Sequence, residues 1–166
     1  MSLLRRIQLS HVPSILFVVA LVARLIVIPL SILRVNPYSQ ADAVEFTATA
    51  SSMGQRLMML QSPFGIPGRS PTYEQWGIFL SPFWLLPGPS RVYALIFVSG
   101  LGAIAVYNVA CLAKWFHSPQ AAVFAAAPLA LYPSIVLTHG TLLREAAVLF
   151  GITSTARYLI TRPPRV

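Results

Sequence analysis

The chain has 166 residues, of which 56% are hydrophobic and only 10% are charged, and its formal net charge is +8. A mean hydropathy of +0.70, together with apolar runs of membrane length, predicts a polytopic membrane protein and excludes an ordinary soluble domain. The basic residues are scattered and form no stripe, so we predict no nucleic-acid partner and attribute the charge to topology and to contact with the lipid bilayer.

The first apolar run, residues 12–33, predicts a membrane-spanning helix. Arg5 and Arg6 precede it, and basic residues before a first span favour a cytoplasmic N-terminus. Residues 35–90 are richer in polar residues and proline, so we expect them to form an outer loop.

Within this loop, residues 41–60 predict an amphipathic helix. We expect Ser39 to be its N-cap, with Asp42 reaching back to the chain before it in the manner of a capping box. Apolar side chains recur at helical spacing on one side, which is typical of a helix lying in the membrane interface. The residues of this apolar stripe are Phe46, Ala50, Met53, Leu57 and Leu60.

The rest of the chain predicts three further spans, at residues 92–113, 121–137 and 146–160. Residues 76–86 are apolar but too short to cross, which indicates a re-entrant or interfacial segment. Pro128 and Pro133 are expected to kink the third span. The predicted fold is therefore all-α: a four-span bundle in the inner membrane of a cell, with both termini cytoplasmic.

The chain has four acidic residues, Asp42, Glu45, Glu74 and Glu145, and three of them lie in the predicted outer loop. Carboxylates are costly in a membrane protein and mark candidate functional sites. Arg24, midway along the first span, must pair with an acid, a carbonyl or cavity water, and we favour a structural bond inside the bundle.

Several short motifs occur in an order that resembles a known family. They are Asp42-Ala-Val-Glu-Phe46, Pro71-Thr-Tyr-Glu-Gln-Trp76, Phe79-Leu-Ser-Pro-Phe-Trp-Leu-Leu-Pro-Gly88, Leu112-Ala-Lys-Trp-Phe116, Leu131-Tyr-Pro-Ser134 and Leu142-Leu-Arg-Glu-Ala146, with Arg24 before them and Arg91 among them. This order resembles the N-terminal half of glycosyltransferases of the GT-C fold that use a polyprenyl-phosphate sugar. Protein O-mannosyltransferases and the lipid A aminoarabinose transferase belong to that group.

The resemblance implies roles for the acids. Asp42 would be the catalytic base, and Glu145 would be a second acid in the same cavity. Planar guanidinium suits phosphate oxygens, so Arg144 is a candidate phosphate contact. Further candidate substrate contacts are Glu45, Glu74 and Tyr73.

Each candidate also has a structural alternative. Asp42 could serve as a helix cap, Glu45 could lie on a solvated face, and Glu145 could form an ion pair with a neighbouring helix. Arg144 could be an interfacial anchor, and an aromatic belt at the interface would explain Tyr73 beside Glu74.

The function that the resemblance implies is transfer of a sugar from a polyprenyl-phosphate donor at the outer membrane face. The chain would be an N-terminal module or a shortened relative of such an enzyme. The alternative is a non-catalytic membrane subunit that packs against other subunits of a larger complex. A transporter is disfavoured because the sequence has no internal repeat. We assign no cofactor and no metal site; a divalent cation stays an open alternative because some relatives bind one, with His139, Glu145 and Asp42 as its ligands.

Overall fold

The computed structural model describes residues 11–161, and the regular structure in that range is helical, without strands. Two short 3₁₀ helices, Pro37–Ser39 and Ser81–Leu85, accompany the α-helices. The α-helices are α1 (Val12–Ile32), α2 (Asp42–Met58), α3 (Pro71–Leu80), α4 (Ser90–Phe116), α5 (Pro119–Leu131), α6 (Pro133–His139) and α7 (Glu145–Thr161).

Two of these helices are long and apolar enough to cross a membrane: α1, with 21 residues, and α4, with 27. Helices α5 and α6 satisfy the same criteria only together, and they are bent by 61° at their junction. This bend confirms the kink predicted at Pro133, whereas Pro128 lies inside α5. The predicted count of four spans is not confirmed, because the 17 residues of α7 extend about 26 Å, less than the ~30 Å hydrocarbon core.

Helices α1, α4 and α5 pack through small side chains. Six of the eight buried residues in this group, the alanine cluster, are alanines. Small residues let helix backbones approach closely, which is how helices associate in an apolar solvent. The members of the cluster are Leu16, Ala20, Ala103, Val106, Ala110, Ala122, Ala126 and Ala130.

Arg24 joins α1 to the bend between α5 and α6. Its guanidinium is completely buried, and Nη2 donates to the Leu129 carbonyl at 2.9 Å and lies 3.2 Å from His139 Nδ1. Pro133 has no N–H, so the Leu129 carbonyl lacks its usual partner four residues on. The guanidinium supplies the missing donor. The predicted structural bond of Arg24 is thus confirmed, with a carbonyl as its partner.

The second group of buried residues, the aromatic cluster, lies where α1 ends and α4 begins, which we call the loop end of the bundle. Helices α2 and α3 and the second 3₁₀ helix pack there against one another and against α4. The cluster consists of Ile28, Phe46, Ala50, Trp76, Leu80, Ala94, Leu95, Val98, Leu142 and Ala146.

The predicted N-cap of α2 is wrong, whereas the position of the helix in the membrane interface stays a prediction. The helix begins at Asp42 after Ala41, without a side-chain cap, and the Ser39 hydroxyl donates instead to the Asn36 carbonyl at 2.6 Å. The apolar stripe is buried only as far as Met53, because α3 and the second 3₁₀ helix cover that part, whereas Leu60 is 97% exposed. The segment expected to be re-entrant or interfacial forms the end of α3 and the second 3₁₀ helix.

Candidate functional site

A cleft of about 250 Å³ opens at the loop end, between α2, α3 and the start of α7. Four of the predicted site residues line it, although they come from segments far apart in sequence. Two of its lining hydroxyls, on Ser70 and Thr72, were not predicted from the sequence. The lining residues are Asp42, Phe46, Ser70, Thr72, Tyr73, Leu143, Arg144 and Glu145.

Asp42 and Tyr73 are joined by a hydrogen bond across the cleft. The Tyr73 hydroxyl donates to Asp42 Oδ1 at 2.7 Å. Because the neutral phenol makes this bond, the pKa of Tyr73 is raised, and burial and the Asp42 charge add to the effect. The positive charges of Arg144 and Arg69 act in the opposite direction on the same pKa. Tyr73 therefore keeps its proton and orients the Asp42 carboxylate.

Trp76 fixes the position of Arg144 and Glu145 relative to α3. Its indole N–H donates to the Leu142 carbonyl at 2.7 Å, and both residues are buried in the aromatic cluster. Leu142 comes two residues before Arg144, and Glu145 begins α7. A carboxylate in the first turn of a helix is stabilised by the helix dipole. Arg144 and Glu145 thus both line the cleft, and both side chains are exposed.

The backbone immediately before Asp42 is strained. Ala41 has φ +46° and ψ −111°, and the Ala43 N–H donates to the Gln40 carbonyl at 3.1 Å, which closes a tight turn. This conformation belongs to the first central position of a type II′ turn, where glycine is the usual residue. The turn sets the direction in which the chain enters α2. Strain of this kind is concentrated at functional sites.

Two predicted substrate contacts, Glu45 and Glu74, are not among the residues that line the cleft. Glu45 forms an ion pair with Arg69. Glu74 accepts a hydrogen bond from the Ile66 N–H at 2.7 Å. Both acids therefore tie down the irregular segment between α2 and α3, a role the sequence did not suggest because their partners lie in a stretch without periodicity.

The structure offers no metal-binding group of three or more His, Cys, Asp or Glu side chains within residues 11–161. Of the three ligands considered for a cation, Asp42 and Glu145 line the cleft. His139 is 4% exposed and faces Arg24 in the bundle instead. A cation in the cleft would have two protein carboxylates as ligands, and its remaining coordination positions would have to be filled by other ligands.

A scan against models of protein families found no match for this chain, and neither a search of curated proteins nor one of solved structures found any.

Proposed function

We propose that the protein is a membrane glycosyltransferase, or the N-terminal module of one, which transfers a sugar from a polyprenyl-phosphate donor. One observation supports this: Asp42 lines the same cleft as Arg144 and Glu145, which lie about 100 residues later in the chain. A base and a phosphate-binding guanidinium suit this reaction, and a second acid in the same cavity is what the resemblance implies.

In the proposed reaction Asp42 accepts the proton of the acceptor hydroxyl. That oxygen forms a bond to the anomeric carbon of the sugar while the bond from that carbon to the phosphate oxygen breaks. The polyprenyl phosphate leaves with the electron pair, and Arg144 stabilises its charge. Tyr73 holds Asp42 in place through their hydrogen bond. Glu145 contacts the sugar or, with Asp42, a divalent cation.

The proposal places the loop end at the outer face of a cell's inner membrane. Helix α7 and the α5–α6 pair are then the fourth and third spans, and both termini are cytoplasmic. In this arrangement the cleft faces the outer side of the membrane at the loop end, where a donor with its lipid chain in the bilayer can present its phosphate.

A second candidate function is that of a non-catalytic membrane subunit. The hydrogen bond between Tyr73 and Asp42 favours it, because that bond joins α2 to α3 and is by itself a sufficient structural use for the acid. Both candidates require Asp42, but only the enzyme requires its negative charge.

The variant Asp42→Asn separates the two candidates. Asparagine keeps an oxygen that accepts the Tyr73 hydrogen bond, and it removes the base. Membranes that contain the wild-type protein should release polyprenyl phosphate from polyprenyl-phosphate hexose or pentose. The variant should do so at least about 100-fold more slowly, with the same amount of folded protein.

Glu45→Gln is the matched control, since Glu45 lies one turn away and pairs with Arg69 outside the cleft. It should retain most of the activity. Turnover in Asp42→Asn at the wild-type rate, or no turnover by the wild type with either donor, would leave the subunit function as the better explanation.

A further inference from the structure

A second pocket lies on the other side of α2 from the cleft. It has a volume of about 310 Å³, and we call it the dibasic pocket. Ser51 follows Asp42 by nine residues, about two and a half helical turns, so the two side chains leave α2 in opposite directions. The pocket is lined by Arg34, Val44, Thr47, Ala48, Ser51, Trp84 and Arg91.

This pocket brings two positive charges together without a carboxylate. None of the four acids of the chain lines it. Arg91 Nη2 donates to the Ser31 carbonyl at 3.2 Å, while its Nε is buried without a hydrogen-bond partner within the described residues. Two like charges in one pocket repel each other, and an unsatisfied buried donor costs further stability. An anion in the pocket would offset the repulsion.

Arg34 occupies a backbone position that disfavours it. Its φ is +58°, and the Val35 and Arg34 N–H groups donate to the carbonyls of Leu30 and Ser31 in the pattern of a Schellman motif at the end of α1. Glycine is the usual residue there, and an L-residue costs about 1 kcal/mol or more. The chain therefore carries a cation at this point against the local preference of the backbone.

The position of Arg91 is also unfavourable for a positive charge. It lies in the first turn of α4, where the helix dipole disfavours a positive charge and favours an anion. Ser51 lines the same pocket, and its hydroxyl can add a neutral donor, whereas the Thr47 hydroxyl already donates to the Ala43 carbonyl at 2.6 Å. Two guanidiniums with a nearby hydroxyl match the oxygens of a phosphate group.

We propose that the dibasic pocket binds the phosphate of an anionic membrane lipid. The pocket lies where α1 ends and α4 begins, and these are the two helices long and apolar enough to cross a membrane. Trp84 lines it, and an indole is typical of the level of the lipid headgroups. The lipid would anchor the loop end beside the cleft, and this role does not depend on the proposed transferase activity.

The variant Arg34→Gly tests the proposal because glycine suits the backbone and removes the cation. The full chain is purified in a neutral detergent, and its melting temperature is measured with added phosphatidylglycerol, phosphatidylcholine or inorganic phosphate. Phosphatidylglycerol should raise the melting temperature of the wild type more than phosphatidylcholine does. In Arg34→Gly the affinity for phosphatidylglycerol should fall at least about tenfold, while the melting temperature without lipid stays equal or rises.

Leu60→Gly is the matched control. Leu60 has φ +56° after α2, is 97% exposed and does not line the pocket, so glycine there relieves the same strain without touching the pocket. This variant should respond to phosphatidylglycerol like the wild type. Arg91→Gln, which keeps a donor for the Ser31 carbonyl, should lose the response as Arg34→Gly does.

A wild-type response to phosphatidylglycerol that survives in Arg34→Gly would overturn the proposal. So would equal responses to the two lipids in the wild type. Stabilisation by inorganic phosphate without any by lipid would overturn the lipid as the ligand and identify a free phosphate site.

Discussion

The alanine cluster and the aromatic cluster share α1 and α4, yet their helices meet in different ways. In the alanine cluster small side chains bring α1, α4 and α5 together, whereas in the aromatic cluster large rings and the hydrogen bond from Trp76 join α2, α3 and the start of α7. The non-glycine residues with positive φ in the described range all lie between the end of α1 and the start of α3: Arg34, Ala41 and Leu60. Small buried side chains hold the helices of the alanine cluster together, whereas strained backbone positions occur in the segments that lead to and from α2.

The largest effect should follow from truncating a ring of the aromatic cluster. Phe46 is 3% exposed, and its ring meets that of Tyr73 with centroids 4.9 Å apart. Phe46→Ala should lower the free energy of unfolding by about 3–5 kcal/mol, measured in mixed micelles, because it leaves a cavity beside the cleft. Phe64→Ala, at a residue 52% exposed, should change it by less than about 0.5 kcal/mol. Similar losses in the two variants would mean that the aromatic packing does not hold the loop end together.

An intermediate effect is expected where the two clusters meet. A methyl group on Gly102 would lie 2.7 Å from His139 Nδ1 and 2.8 Å from Arg24 Nε. Gly102→Ala should therefore cost about 1–3 kcal/mol in the free energy of unfolding, since it overpacks the buried guanidinium.

The matched control is Gly100→Ala in the same helix, where an added methyl meets nothing within 4 Å. That variant should be neutral or gain up to about 1 kcal/mol from helix propensity. If both substitutions stabilise α4, the close approach at Gly102 is not a constraint on the bundle.

The smallest effect should come from relieving strain at the cleft. Ala41→Gly removes the steric cost of φ +46°, which is about 1–2 kcal/mol. It also raises the conformational entropy of the unfolded chain, which destabilises the folded state by about 0.4–1 kcal/mol. The net expectation is a gain of roughly 0.5 kcal/mol in the free energy of unfolding. Ala43→Gly, two residues later inside α2, should instead lose about 1 kcal/mol. A loss in Ala41→Gly equal to that in Ala43→Gly would show that Ala41 is not strained.

The sequence predicted the apolar helices well, because hydropathy acts over many residues at once. It also predicted that Arg24 needs a partner, but not which one, since the partner is a carbonyl released by Pro133 far along the chain. The N-cap at Ser39 was predicted wrongly because the Ser39 side chain bonds backward to Asn36. A local sequence pattern describes the propensity to begin a helix, whereas the actual start of α2 follows a tight turn at Ala41.

Four residues of the cleft were predicted from the sequence, but the contacts that hold them together were not. The resemblance pointed to Asp42 and Glu145 in one cavity, and the structure brings them to one cleft, while their chemical roles stay predictions. The contacts that build the cleft join residues far apart in sequence. The Trp76 indole N–H donates to the Leu142 carbonyl, and the Tyr73 hydroxyl donates to Asp42. The ion pair of Glu45 with Arg69 and the hydrogen bond from Ile66 to Glu74 depend on an irregular loop, which no periodicity describes.

The bond between Arg24 and Leu129 also bears on the order of events during synthesis. The acceptor carbonyl is made 105 residues after the arginine, which at about 5–20 residues per second is a delay of roughly 5–20 seconds. During that time α1 carries a guanidinium whose insertion at mid-bilayer costs about 2.5–3.5 kcal/mol, and the many Val, Ile and Leu residues of the helix must offset it. Nascent chains that stop short of Leu129 would leave this guanidinium without its carbonyl acceptor on α5.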